Sequence, residues 1–412
     1  MGGPVRVESL SYRAEGVKGA WSRALPVHLD SPQTLVLAFG ARRYGPEGPA
    51  NEPLQAPLRE LVAGFPQSAV VGCSTSGEIE GSRVDDGTVS VAVCRFEHSR
   101  VVTALTPIAG ADDSGAAGAR LAAGLPAEGL RAVFVLSDGL GVNGTPLVAA
   151  LSRGLPAGVR IAGGLAGDGS RFESTWVLAG GTVRPGQVCA VGLYGERLQV
   201  GGGHEGGWSD FGPLRRITRS EGNVLFELDG RPALDLYKEY LGRLADGLPG
   251  AALLFPLSIR SPRGGTEALV RTILGIDEVR RSMTFAGDVP QGFEARLMRT
   301  TGDGLVNSAG LAMAGAVSGF AEPQGEEGEG GEGGAGSHAA VSQSLVVSVS
   351  CVGRRLVLGE RTEEEVESLM EGAPPGAVHV GFYSYGEIAA GCGGSASQLH
   401  NQTMTVTVLR EV

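Results

Sequence analysis

The stretch Gly72-Cys73-Ser74-Thr75-Ser76-Gly77-Glu78-Ile79 returns near the end of the chain as Gly381-Phe382-Tyr383-Ser384-Tyr385-Gly386-Glu387-Ile388. We call these the first and second motif; both fit the pattern G-x-x-[ST]-x-G-E-I and follow an apolar run at residues 69–71 and 377–380. The apolar runs predict buried strands, and the two glycines permit a tight turn or a close approach of the backbone to a ligand. Each motif therefore places a hydroxyl and a carboxylate at the end of a strand.

The surroundings of the first motif are repeated further along the chain. Two series of strand-like and helix-like segments follow the same order, namely residues 34–39, 57–63, 69–71 and 89–94, and then 132–136, 145–153, 159–162 and 187–193. We infer a duplicated strand–helix–strand–loop–strand unit in which the loop at residues 163–168 corresponds to the first motif. Residues 282–299 indicate a degenerate third copy.

These patterns predict an α/β fold of mixed sheets covered by helices. We place a boundary before the helical pattern that begins at Pro232, which gives one domain at residues 31–229 and a second at 230–410. Residues 321–337 are acidic and rich in glycine, so we expect a disordered surface insertion there. Thr362 and Glu365 have the spacing of a capping box at the start of a helix.

Charge and cysteine content exclude several classes of function. The 412 residues carry a net charge of −11, and the cations form no cluster longer than pairs such as Arg42-Arg43. Nucleic acids and anionic membranes need a concentrated positive surface, so neither is expected as a partner. The five cysteines lie far apart without a C-x-x-C, which argues against disulfides and structural zinc. No segment has the order of a signal peptide, and we expect a cytoplasmic protein.

Gly139, Gly141 and Gly144 match the dinucleotide fingerprint G-x-G-x-x-G between a predicted strand and a predicted helix. With 68 glycines in the chain, such matches are expected by chance. We therefore predict no cofactor, and the six scattered histidines indicate no metal site.

The two motif carboxylates, Glu78 and Glu387, allow two interpretations. They could face one shared cleft, where they would bind a cationic group or act as acid–base groups. Alternatively, each carboxylate accepts backbone N–H bonds and holds its own glycine turn. Cys73 has two interpretations as well, a reactive thiol or a small buried hydrophobic residue.

Polar side chains around the second motif extend this candidate site. Tyr383 and Tyr385 alternate around Ser384, so we expect one ring to face the core and the other the cleft. His400 and Asn401 either stabilise a turn or line a pocket. The candidate ligand-binding residues are Cys73, Thr75, Glu78, Tyr383, Ser384, Tyr385, Glu387, His400 and Asn401. No catalytic or metal-binding residue is assigned.

At these residues the chain resembles the FIST family, a sensory domain of bacterial signalling proteins and of some eukaryotic F-box proteins. Residues 70–79 look like the hallmark of its N-terminal half, and residues 381–388 with 399–404 look like that of its C-terminal half. The resemblance implies two FIST-type halves and a role in small-molecule sensing, with an amino acid or a derivative as ligand. It implies no catalytic residues. Because many bacterial relatives carry a transmitter module, it also raises the prospect of a separate signalling partner protein.

Two alternatives remain open from the residues themselves. One is an enzyme acting on a small metabolite with Glu78 or Glu387 as general base. The other is an interaction scaffold, a homo-oligomer that joins strands edge to edge.

Overall fold

The computed structural model describes residues 5–15, 18–46, 55–263, 268–320, 343–390 and 397–412. The predicted acidic insertion at 321–337 lies outside the described residues.

The described residues form a strand-rich α/β fold. The strands are β1 (Arg6–Glu15), β2 (Lys18–Trp21), β3 (Thr34–Ala41), β4 (Ala69–Thr75), β5 (Glu78–Glu80), β6 (Arg83–Asp85), β7 (Thr88–Arg95), β8 (Arg100–Pro107), β9 (Leu130–Ser137), β10 (Arg160–Leu165), β11 (Val177–Ala179), β12 (Thr182–Arg184), β13 (Gln187–Tyr194), β14 (Leu198–Glu205), β15 (Ser209–Glu221), β16 (Val224–Leu228), β17 (Arg231–Pro232), β18 (Leu257–Arg260), β19 (Leu269–Arg271), β20 (Ile273–Asp277), β21 (Ser282–Phe285), β22 (Glu294–Arg299), β23 (Leu345–Cys351), β24 (Val378–Ser384), β25 (Gly386–Ala389), β26 (Gln398–His400) and β27 (Met404–Glu411). The helices are α1 (Ala56–Gly64), α2 (Ser114–Ala123), α3 (Gly144–Gly154), α4 (Ala233–Leu241), α5 (Gly302–Val317), α6 (Val352–Leu358) and α7 (Thr362–Glu371). None of these helices combines the length and apolarity needed to cross a membrane.

Three units share one plan of strand, helix, parallel strand, hairpin and antiparallel strand. They are β3–β7, β9–β13 and β23–β27, and in each the two central strands pair in parallel. Their sheets run β12-β11-β4-β3-β7-β1-β2, β26-β25-β10-β9-β13-β8 and β14-β27-β23-β24-β5-β6. The predicted fold of mixed sheets covered by helices is confirmed.

The units exchange strands in a cycle. The hairpin β5–β6 of the first unit pairs with β24 of the third, β25–β26 of the third pairs with β10 of the second, and β11–β12 of the second pairs with β4 of the first. In the opposite direction, β8 joins β13, β14 joins β27, and β1 joins β7. Strands from both predicted domains therefore share sheets, and the domain boundary stays a prediction.

A ring of three backbone hydrogen bonds joins the units where the exchanged hairpins begin. The amide of Ser76 donates to the Tyr383 carbonyl (2.8 Å), that of Tyr385 to the Leu165 carbonyl (3.2 Å), and that of Gly167 to the Ser74 carbonyl (2.9 Å). Each bond runs from one unit to the next, so the ring closes on itself. The three glycine loops are thereby held side by side.

The three sheets pack their inner faces onto a common apolar core. Leu37, Phe134 and Val347 come from the central strands of the three units and are buried in it. Phe39 and Phe382 contact each other across the core with ring centroids 4.6 Å apart. Outside the sheets, α1 covers the first, α2 and α3 the second, and α5 and α7 the third. Burial of both faces explains why the central strands read as continuous apolar runs.

Residues between the second and third units form a separate antiparallel sheet, ordered β19-β18-β22-β15-β16-β21-β20, which packs on α4. The prediction of a third copy at residues 282–299 is wrong, because these residues form β21 and β22 of this sheet. The third copy is the unit that contains the second motif.

The predicted capping box is also wrong. The Thr362 hydroxyl donates to the Gly359 carbonyl (2.5 Å) instead of capping α7. The Glu365 side chain is fully buried in an ion pair with Arg354 (2.8 Å). A buried cation therefore determines the position of this carboxylate, which sequence spacing does not reveal.

We expect Gly167→Ala to destabilise the fold by about 1–3 kcal/mol, a typical cost of overpacking. An added Cβ would lie 2.3 Å from Ser76 Oγ and 3.1 Å from the Ser76 amide nitrogen, which forms the neighbouring bond of the ring. Gly115→Ala in α2 is the matched control, because its added Cβ would meet only Pro146 at 3.8 Å.

The control should gain up to about 1 kcal/mol from helix propensity. Denaturant unfolding measures both variants, and equal stability of Gly167→Ala and the wild type would contradict the importance of the ring.

Candidate functional site

The carboxylate of the first motif holds its own turn. Glu78 begins β5 and accepts hydrogen bonds from the Thr75 hydroxyl, the Thr88 amide (2.9 Å) and the Thr88 hydroxyl (3.0 Å). Burial raises its pKa to about 7 against these hydrogen bonds, which lower it.

The second motif repeats this arrangement. Glu387 is the second residue of the exchanged strand β25 and accepts from the Ser384 hydroxyl (2.6 Å) and the Thr403 amide (3.2 Å). Burial raises its pKa to about 8. In both motifs the carboxylate therefore takes the turn-holding position, and Thr75 and Ser384 are its equivalent hydroxyl partners.

The second unit departs from this pattern. Val177 stands where the other units have Glu78 and Glu387, since it pairs with β4 at Cys73 as Glu78 pairs with β24 at Phe382. The segment at residues 168–176 lies between the loop at 163–168 and Val177, so Asp168 does not take the place of the motif carboxylate. Asp138 supplies the carboxylate instead and accepts from the Gly186 amide (3.0 Å).

Asp138 also explains the dinucleotide-like glycines. Its carboxylate accepts from the amides of Leu140 (2.9 Å) and Gly141 (2.8 Å), and the Gly139 amide donates to the Thr175 hydroxyl (3.0 Å). Backbone donors that would cradle a phosphate are thus already occupied within the fold.

Both motif tyrosines are buried, so the expectation that one of them faces a cleft is wrong. The Tyr383 hydroxyl donates to Glu365 (2.7 Å). The Tyr385 hydroxyl donates to Asp168, and its ring stacks on Phe172 with centroids 4.5 Å apart. Each ring thus ties its loop to another part of the chain.

Cys73 lies in the common core with no exposed surface. Burial raises the pKa of its thiol well above the usual value, which disfavours the reactive thiolate. The geometry is that of a small buried hydrophobic residue.

Unpartnered polar atoms collect at the turn between β26 and β27. Among the described residues, Asn401 Oδ1 and Nδ2, Gln402 Oε1 and His400 Nε2 are buried without a hydrogen-bond partner. Asn401 and Gln402 have no exposed surface. Buried polar atoms without partners cost about 1–3 kcal/mol each, so the turn is an energetically costly part of the described structure.

The backbone at this turn is unusual too. Gln402 has a φ of +60°, where the equivalent turns of the other units have Gly87 (+78°) and Gly186 (+60°). A non-glycine residue in the left-handed region is a frequent feature of functional sites. Its side chain donates to the Leu253 carbonyl (2.9 Å), which fixes it against the short 3-10 helix Gly250–Leu254 that precedes β18.

The fourth sheet completes the surroundings of the second motif. Buried Arg271 donates to the Leu399 carbonyl (3.1 Å) and the Asp288 carbonyl (3.1 Å), and burial lowers its pKa to about 10. Thr272 beside it has a buried hydroxyl that lies against the Cys351 thiol. His400 stacks on His204 with centroids 4.4 Å apart, and burial lowers its pKa to about 3.

An open cleft of about 570 Å³ lies at the first motif, lined by Thr75 and Glu78 together with arginines that follow β3 and precede β11. Glu387 is not among its lining residues. The structure therefore groups Ser384, Glu387, His400 and Asn401 at one place, and Thr75 and Glu78 at another.

Several residues of these sites were missed from the sequence. Arg42 and Arg43 were visible as a basic pair directly after a strand, which is a usable signal. Arg271 and Thr272 gave no signal, because the contact from Arg271 to Leu399 spans 128 residues.

Residues 34–231 match the family model of the FIST N domain, and residues 233–390 match that of the FIST C domain. No curated protein matches the chain. FIST domains are sensory domains of signalling proteins.

We expect Glu387→Gln to change the pH dependence of stability. The Glu387 pKa rises from 4.5 in the unfolded chain to about 8 in the folded one. Between these values the folded chain binds more protons, so this group makes stability fall as pH rises, by up to about 1.4 kcal/mol per pH unit. The variant should lose this contribution.

Denaturant unfolding between pH 5 and 8 measures the free energy of unfolding of the wild type and the variant. The titration of other groups cancels in the difference between the two. Exposed Glu128→Gln serves as control. A difference that does not vary with pH would mean that Glu387 is ionised throughout this range.

Proposed function

The chain belongs to the FIST family, and from this premise we propose that it is a cytoplasmic sensory protein that binds a small polar molecule in signal transduction. The proposed ligand is an amino acid or a derivative of one, and its site is the turn at His400, Asn401 and Gln402 beside the second motif. The observation that carries the proposal is the set of buried polar atoms there that lack partners among the described residues.

The chemistry of these atoms supports a zwitterionic ligand. His400 donates to the Ala389 carbonyl and is held neutral, so its Nε2 carries a lone pair. With Asn401 Oδ1 and Gln402 Oε1, this makes three acceptors, the number that an ammonium group can satisfy. Asn401 Nδ2 is a donor that suits a carboxylate.

Burial supports a small ligand that becomes enclosed. His400, Asn401 and Gln402 are at most 6% exposed. Leu253, in the 3-10 helix before β18, and Arg271, in β19, contact this part of the chain. Hydrogen bonds formed out of water are strong, and a ligand that lacks one of the matching groups would leave a protein atom unpaired. The site is therefore suited to discriminate between closely related metabolites.

The free thiols of the chain are consistent with a reducing compartment. Cys73, Cys94, Cys189 and Cys351 are buried and free, as is usual for proteins of the cytoplasm.

A thermal-shift screen of the full chain against amino acids and related metabolites tests the ligand class. A ligand at 100 times its Kd should stabilise the folded chain by about 2.7 kcal/mol. Absence of any stabilising compound of this class would contradict the proposed ligand.

Asn401→Leu separates a binding role from a structural one. Without ligand, the variant should be as stable as the wild type or more stable by about 1–3 kcal/mol, because two unpaired buried atoms are removed. The ligand-induced shift should disappear. Denaturant unfolding and the thermal-shift assay give the two readouts.

Asn143→Leu is the matched control. The Asn143 amide is paired, since its oxygen caps α3 by accepting from the Thr145 amide (3.2 Å) and its nitrogen donates to Asp288 (2.7 Å). This control should lose about 1 kcal/mol or more. If Asn401→Leu destabilised the chain as much as the control, Asn401 would be a structural residue and the assigned site would be wrong.

A further inference from the structure

The open cleft at the first motif differs in character from the buried turn at Asn401. Its volume of about 570 Å³ is in the range of small-molecule sites. Its base consists of the buried polar residues Thr75, Ser76 and Glu78, which are 2–3% exposed. It lies beyond the carboxyl ends of the parallel strands β3 and β4, where α/β sheets commonly bind ligands.

Three arginines line this cleft, Arg42, Arg43 and Arg171. Arg42 forms an ion pair with Glu173 (2.6 Å), so the excess positive charge comes from Arg43 and Arg171. The guanidinium of Arg43 donates to the Gly87 carbonyl and, at 3.3 Å, to the Tyr44 hydroxyl. Its described partners are thus uncharged oxygens, which leave its positive charge uncompensated.

Two glycines make room for these guanidinium groups. A Cβ at Gly87 would lie 3.1 Å from Arg43, and a Cβ at Gly169 would lie 3.7 Å from Arg171. Both glycines have positive φ angles, +78° and +81°. Arg43 and Arg171 therefore rest against bare backbone on the cleft wall.

The carboxylates in the cleft do not cancel this charge. Asp86 is already engaged by Arg355 through two hydrogen bonds of 2.7 Å. Glu78 is buried and directs its oxygens to Thr75 and Thr88. Arg43 and Arg171 therefore give the cleft an excess of positive charge in a chain whose net charge is −11, and a cleft lined by one sign of charge attracts ligands of the opposite sign.

We propose that this cleft is a second binding site, which holds a small anionic molecule by its carboxylate or phosphate group between Arg43 and Arg171. A planar guanidinium pairs with either group through two parallel hydrogen bonds, so the two oxyanions share one recognition chemistry. The site takes an anion, whereas the turn at Asn401 offers mainly acceptors.

Isothermal titration calorimetry of the full chain with inorganic phosphate and with succinate tests this proposal at low ionic strength. At least one probe should bind with saturation at one site per chain. Binding of phosphate alone would identify a phosphate-type ligand, and binding of succinate alone a carboxylate-type ligand. Absence of saturable binding of both probes would overturn the proposal.

Substitutions locate the site. Arg171→Ala should weaken binding of the probe by about tenfold or more. Arg171→Lys should weaken it less, because lysine keeps the positive charge but lacks the planar set of N–H donors of the guanidinium. Arg243→Ala removes the same charge from an exposed position on the fourth-sheet side of the chain and should leave binding unchanged. Equal weakening by Arg171→Ala and Arg243→Ala would reduce the effect to net charge and overturn the site.

Asn401→Leu distinguishes this site from the proposed sensory site. It should leave binding of phosphate or succinate unchanged. Loss of anion binding in this variant would place the anion at the turn and refute a separate cleft site.

Discussion

Three backbone hydrogen bonds, from Ser76, Tyr385 and Gly167 to carbonyls of neighbouring units, constrain the rest of the structure. Each bond lies where a strand leaves its own sheet and its hairpin joins the next. Because the ring is cyclic, no unit completes its sheet alone, and β1 from the start of the chain supplies the strand that closes the first sheet. The ring consists of backbone groups of the glycine loops and does not involve the turn before the last strand of each unit, so one unit can have a specialised turn there.

The third unit differs most from the other two at the turn before its last strand. The first two units have Gly87 and Gly186 at the turn before the last strand. Glycine adopts a left-handed backbone conformation with little steric cost. The third unit has Gln402 there, preceded by Asn401. Leu253, in the 3-10 helix before β18, and Arg271, in β19, contact this part of the chain. Symmetry-related turns thus serve as an internal reference: they show that the fold requires neither the strained backbone nor the unpartnered polar atoms of this turn.

Local patterns allowed much of the fold to be predicted. Apolar runs located the central strands, and the repeated motif revealed related loops, because both depend on neighbouring residues. Strand exchange was not predictable, since Glu78 pairs with Phe382 and Val177 with Cys73 across long separations. The extra residues at 168–176 separate the glycine loop of the second unit from Val177, so the sequence did not show that Val177 takes the place of the motif carboxylate. His400 and Asn401 were predicted from their unusual polarity, while Arg271 and Thr272 reach the site only through tertiary packing.

The central claim is that the amide of Asn401 is completed by a ligand rather than by the protein. A high-resolution crystal structure of the chain, purified without denaturation and soaked with the compound that stabilises it most, tests this claim directly. We expect density for a small polar molecule within hydrogen-bonding distance of Asn401 Oδ1 or Nδ2. An amide bonded only to protein atoms, with the compound absent from the turn, would contradict it.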